Sequence, residues 1–169
     1  RGMTWIFLFA TLVTFFIMPV SVMFPLMTLD HFGGNAFQVS LIEVIWSVGA
    51  LLGGIVMGAR VYRVNRVVLL NLTYIVRGLC FLFSGILSPN GFVLFVIFTG
   101  ISGIAGSVYH SSFTAILQTF IEPGVLGRVF SMFYTFSLIP SMIGLIGIGF
   151  FADNLGLTTS FFVCGFILV

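Results

Sequence analysis

A carboxylate at position 43, a guanidinium at 77 and an imidazole at 110 are the chemically capable groups that fall inside long apolar runs of this sequence. Glu43 stands about six residues into its run, roughly 9 Å from the run's end at 1.5 Å per residue. In hydrocarbon a charged group costs several kcal/mol unless it faces protein or water, so such a residue is a functional candidate by default. A carboxyl group held this way can take up and release a proton in exchange for a substrate. A structural ion pair with Arg77 is the competing reading. Arg77 is about ten residues into its own run, roughly 15 Å deep, and an arginine side chain can bridge that offset. His110, near the inner end of another run, can gate or relay protons. Trp46, one turn from Glu43, can stack on an aromatic or cationic ligand, and Tyr134 is a weaker candidate of the same kind. Thr14, Met18 and Ser21 recur at helical intervals on one face, the polar face of the first run, and complete the expected substrate cavity.

The elements that must position these groups follow from composition. With 60% hydrophobic and 6% charged residues and a mean hydropathy of +1.28, 169 residues offer too little polar surface for a soluble domain. The bilayer must be the solvent, and an all-α polytopic membrane protein is expected. All six basic residues are arginine, and five of them (Arg1, Arg60, Arg63, Arg66, Arg128) fall outside the apolar runs. They read as loop charges rather than as a nucleic-acid surface. Cys80 and Cys164 lie within apolar runs with no metal-ligand spacing, and no metal or cofactor is expected.

Six spans are expected, at about 4–28, 37–59, 67–87, 92–118, 129–151 and 157–169, the last cut short of the roughly twenty residues a crossing needs. The arginines put Arg1, the Arg60–Arg66 loop and the Glu122–Arg128 link on the cytoplasmic side, with Asp30 and Asp153 outside. Gly49, Gly53, Gly54 and Gly58 make a bare flank for a neighbouring helix, and Gly100, Gly103 and Gly106 read as a second such stripe. Pro140 interrupts the fifth span, where a broken helix can serve gating.

Without gaps, Ser21, Leu26, Thr28, Gly33, Ser40, Gly53 and Gly58 recur 91 positions later as Ser112, Leu117, Thr119, Gly124, Ser131, Gly144 and Gly149. Spans one to three would then repeat as four to six, and three spans per unit invert the second copy, giving a 3+3 inverted repeat.

Phe24 to Gly54, the link LQTFIEPGVLGRVFSM (Leu117 to Met132) and GFFADNLGL (Gly149 to Leu157) resemble the C-terminal half of major facilitator superfamily transporters, in the drug:proton antiporter and macrolide-efflux branch. The resemblance covers essentially the whole chain, as spans seven to twelve of twelve. It implies a secondary active transporter in the cell membrane that exports hydrophobic or amphipathic drug-like small molecules against protons, with a missing N-terminal six-helix half as partner. It also implies a cavity lined by spans one, two, four and five, with Glu43 within reach and Arg77 outside. The superfamily's loop signature lacks its aspartate here, leaving Gly54, Gly58, Arg60, Arg63 and Arg66.

Two other readings compete. One is a non-catalytic polytopic membrane module without transport activity. The other is an intramembrane serine protease, since Gly100-Ile101-Ser102-Gly103 matches the GxSG of rhomboid-like enzymes. Its nucleophile would need a base within hydrogen-bond reach, and His110 is eight residues further along the same helix, roughly 12 Å away. The chain is therefore not expected to be an enzyme.

Overall fold

The computed structural model describes residue 20, residues 22–59 and residues 65–169. Within these the chain is helical throughout, without a strand. α1 covers the described end of the first span, 22–31, and its last turn, Met27–His31, is a π-helix. It is followed by α2 (Ala36–Ala59), α3 (Arg66–Ile86), α4 (Phe92–Phe120), α5 (Pro123–Leu155) and α6 (Leu157–Leu168). α2, α3, α4 and the 123–147 part of α5 are long and apolar enough to cross a membrane, whereas α6 has 12 residues.

Hydrocarbon leaves no water for unpaired backbone groups, so the helix ends carry the polar side chains. Asn35 and Gln38 cap α2 reciprocally: the Gln38 N–H donates to Asn35 Oδ1 at 3.1 Å and the Asn35 N–H to Gln38 Oε1 at 3.0 Å. The Val67 N–H donates to Asn65 Oδ1 at 3.1 Å and starts α3.

Two expected loops are helical instead. The Glu122–Arg128 link is the beginning of α5, so Gly124, Gly127 and Arg128 lie on its first turns. Pro123 at the first helical position has its φ already set and no N–H to leave unpaired, and this outweighs the two glycines. At the other end Ala152, Asp153 and Asn154 continue α5 to Leu155. The helix stops only at Gly156, whose φ of 85° is a conformation other residues rarely adopt.

Packing is by bare backbone. α2 lies along α4, and α3 lies between α4 and α6. A Cβ on Gly49 would strike the Gly100 carbonyl, one on Gly53 would stand 2.6 Å from the Ile104 carbonyl oxygen, and one on Gly103 would strike the Trp46 carbonyl. The expected flank is therefore narrower than its four glycines: Gly54 meets only the Ser107 hydroxyl, and Gly58 meets nothing within 4 Å. A second seam, absent from the sequence reading, joins α3 to α6, where a Cβ on Gly85 would be 2.7 Å from the Thr158 carbonyl oxygen and one on Gly78 would be 3.0 Å from that of Gly165. Above the seams four phenylalanines from four helices close the core. Phe24 has the rings of Phe161, Phe95 and Phe81 at 5.3, 5.4 and 5.8 Å, within the range of favourable aromatic pairs. At the far end Phe133 of α5 meets Phe113 of α4 at 4.7 Å.

The seam gives a direct expectation. In the full-length protein Gly103→Ala should lose about 1–3 kcal/mol, the usual cost of overpacking, while Gly58→Ala stays within error of wild type. Reversible unfolding in mixed micelles checks both.

Candidate functional site

Because the glycine seam sets α2 tightly on α4, the α2 residues one and two turns above it face the middle of α4. Glu43 and Trp46 of α2, Thr99 and Ser102 of α4 and Arg77 of α3 line one cavity of about 280 Å³, closed by Phe24, Ile42 and Phe81. Its walls are of two kinds. Three apolar side chains and an indole can take a hydrophobic body, and a carboxylate, a guanidinium and two hydroxyls can orient it, the usual composition of a small-molecule site.

Arg77, which the family resemblance implies lies outside the transport path, is on the wall of this cavity within the bundle. α3 packs against α4, whose residues at the crossing are too small to screen it. Nη1 lies 3.8 Å from where a Cβ on Gly106 would stand, and Cζ is 5.9 Å from the centroid of the Phe81 ring. The Arg77 Nε is buried and has no hydrogen-bond partner. Glu43 lines the same cavity and its side chain is exposed. Among the described residues no ion pair within 4.0 Å is formed, so the two charges share a cavity without direct contact. Of the hydroxyls, Thr99 donates to the Phe95 carbonyl at 2.8 Å, and Ser102 is 1% exposed.

The remaining expected residues fall elsewhere. His110 and Tyr134 come together, with the imidazole Nε2 3.3 Å from the phenol oxygen, and so join α4 to α5 away from the cavity. Tyr134 therefore does not line it. Tyr74 and Tyr109 meet between α3 and α4 with ring centroids 5.3 Å apart and planes tilted by 46°. Pro140 is inside α5. Arg66 is a strap rather than a loop charge: Nη1 donates to the Ala115 carbonyl at 3.0 Å and to Thr119 Oγ1 at 2.8 Å, holding the start of α3 to the end of α4. Arg128 is exposed on α5. Thr14, Met18, Ser21, Arg1, Arg60 and Arg63 lie outside the described residues. Among the described residues no three histidine, cysteine, aspartate or glutamate side chains cluster as a metal site would need.

Sequence reasoning missed Thr99 as a wall residue and noticed Ser102 only through its GxSG context. Their spacing of three, on the face that also carries Gly103 and Gly106, was the available signal. If water reaches this cavity, Ser102→Cys in the full-length protein should react with a small water-soluble methanethiosulfonate. Ser84→Cys, equally buried in α3 but off the cavity, should not. Peptide mass spectrometry at the two positions measures the difference, and equal rates would mean the cavity is closed to water.

Comparison with known proteins agrees with this architecture. Residues 4–169 match the Major Facilitator Superfamily. The chain is 32% identical over 169 residues, all of it, to Macrolide efflux protein A of Streptococcus pyogenes, covering 42% of that protein. It is also 32% identical over 145 residues, 86% of the chain, to Macrolide efflux protein A of Enterococcus faecalis, covering 45% of that protein. A shorter match, 32% over 79 residues, is to the Uncharacterized MFS-type transporter YfiS of Bacillus subtilis (strain 168), 47% of this chain and 19% of that one. The chain thus spans under half the length of these relatives. With a match over nearly every residue and membrane-length helices packed through glycine seams, this chain belongs to the Major Facilitator Superfamily.

Proposed function

We propose that the protein is an exporter of hydrophobic or amphipathic drug-like molecules, macrolides among them, driven by proton exchange, and that Glu43 is the group that carries the proton. The observation that supports this most directly is the position of Glu43 on the wall of a partly apolar cavity beside Trp46 and Arg77, in a chain similar to proteins named for macrolide efflux. A carboxylate there can bind a proton or the cationic group of a substrate, but not both at once, and that competition couples the two flows. Trp46, 42% exposed, offers an aromatic face to the same group. At about 280 Å³ the cavity is at the lower end of drug-sized pockets, about 300–1,000 Å³. It therefore admits a substituent of a large substrate while the rest lies against a facing half.

In this reading a further six-helix half, preceding this one in the full-length protein, supplies the facing wall. The two halves rock about the site to open it alternately to each side. The chain is the second half, a 3+3 inverted repeat in which Thr14, Met18 and Ser21 of the first span extend the path. The His110–Tyr134 contact and Pro140 act as gating elements between α4 and α5. Arg1, Arg60, Arg63, Arg66 and Arg128 mark the cytoplasmic side by the positive-inside rule.

The test is export read as substrate uptake into inside-out vesicles containing the full-length protein, driven by a proton gradient, acid inside, that an ionophore collapses as control. Glu43→Gln should cut ionophore-sensitive efflux at least about tenfold, equivalent to about 1.4 kcal/mol, with normal amounts of protein in the membrane. Glu43→Asp should keep part of it. Undiminished gradient-driven efflux in Glu43→Gln would remove the carboxylate from the mechanism.

A further inference from the structure

Arg77 brings a positive charge into the apolar middle of the bundle, and among the described residues no carboxylate is paired with it. The guanidinium packs against the Phe81 ring on α3 and faces Gly106 on α4, while Nε is buried and has no hydrogen-bond partner. Leaving a buried charge uncompensated costs several kcal/mol. The titratable groups nearest it on α3 and α4, Tyr74, Cys80 and Tyr109, are a thiol and two phenols, and none is a carboxylate. On α2 the only acid facing the cavity is Glu43, which is exposed and makes no ion pair with Arg77. The cavity, however, opens onto Arg77 directly, with the Ser102 hydroxyl on the same wall. The Thr99 proton already goes to the Phe95 carbonyl, and Ser102 supplies the other hydroxyl on the wall.

We infer that the cavity between α2, α3 and α4 is a binding site for a small monovalent anion, either a free halide or the carboxylate of a bound molecule, held by the Arg77 guanidinium with the Ser102 hydroxyl beside it. A guanidinium on a cavity wall forms charge-assisted hydrogen bonds to an anion, roughly twice as strong as neutral ones. Glu43 in the same cavity disfavours the anion when it is ionised, so its neutralisation tightens the site. This assignment is independent of the export reading, because it concerns binding alone.

Trp46 lines the same cavity and reports on it. Iodide is at once a small monovalent anion and a quencher of indole fluorescence, so its quenching of Trp46 in the purified full-length protein can be read directly. The Trp46 component is isolated as the difference from Trp46→Phe, at constant ionic strength with gluconate as the inert anion. Expected is saturable iodide quenching of this component, reduced about twofold by chloride at its half-saturating concentration, with acrylamide quenching linear. Competition by chloride identifies a free halide as sufficient, and competition by acetate but not chloride identifies a carboxylate. Arg77→Gln should return iodide quenching to the linear form and Glu43→Gln should tighten the competition. Where Arg77→Gln fails to reach the membrane, the competition in wild type carries the decision. Linear quenching in wild type, quenching that neither anion relieves, or saturation that appears only in Glu43→Gln would each overturn the site. The last would identify Glu43 as the counter-charge of Arg77.

Discussion

The approach of α2 to α4 through glycine is the contact on which the rest of the bundle depends. In lipid the exclusion of apolar side chains from water contributes little to helix association, and close packing must do the work. Gly49, Gly53 and Gly103 let the two backbones meet at carbonyl groups. That spacing sets how far Glu43 and Trp46 stand from Thr99 and Ser102, and therefore whether a cavity exists between them. A similar seam through Gly78, Gly85 and Gly165 holds α6 to α3 and leaves the opposite side of α3, with Arg77, turned toward α4.

The polar groups follow a rule of economy that the solvent imposes. Several threonine hydroxyls bond back to their own helix, as Thr28 does to the Phe24 carbonyl at 2.9 Å, Thr73 to Leu70 at 2.7 Å and Thr99 to Phe95 at 2.8 Å, whereas the buried Ser112 and Ser137 hydroxyls have no partner. Groups that could unite two helices are few: Arg66 to the end of α4, His110 to Tyr134, and His31 to the Leu87 carbonyl at 2.9 Å. Among the described residues three buried side chains keep an unmatched polar atom, Ser112, Ser137 and Arg77, and of these Arg77 is the charged one. Buried polar groups are so generally matched that an orphan on a cavity wall is a chemical signal.

The helices are not equally engaged. α3 and α4 are packed on two sides, whereas α5 is held by α6 and, at one end, by Phe133 on Phe113 and Tyr134 on His110. Large apolar side chains along α2 and α5, among them Leu51, Ile55, Phe136 and Ile146, are more than half exposed. Such a surface is at home against lipid or another helix layer, in keeping with a chain that covers less than half of its relatives.

The apolar runs, their interruption by Asn35, Asn65 and Pro89-Asn90-Gly91, and the excess of arginine were enough to determine an all-α membrane chain and the cores of its helices. These are local properties, set by the solvent a segment tolerates and by the chemistry of its ends. The superfamily was legible too, because its phrases are contiguous in sequence. Helix ends were less so: at Pro123 and Asn154 a glycine- or polar-rich stretch can be loop or helix, and the choice turns on which backbone groups remain paired. What only the tertiary structure decided was which faces meet. It showed that Gly49 and Gly53 pack while Gly58 does not, that α3 and α6 share a seam, that Arg66 is a strap, and that Arg77 enters the cavity with Glu43 without pairing with it. The rotation and crossing of two helices depend on every small side chain along both, so residues 34 positions apart were brought to one cavity by contacts that neither segment encodes alone.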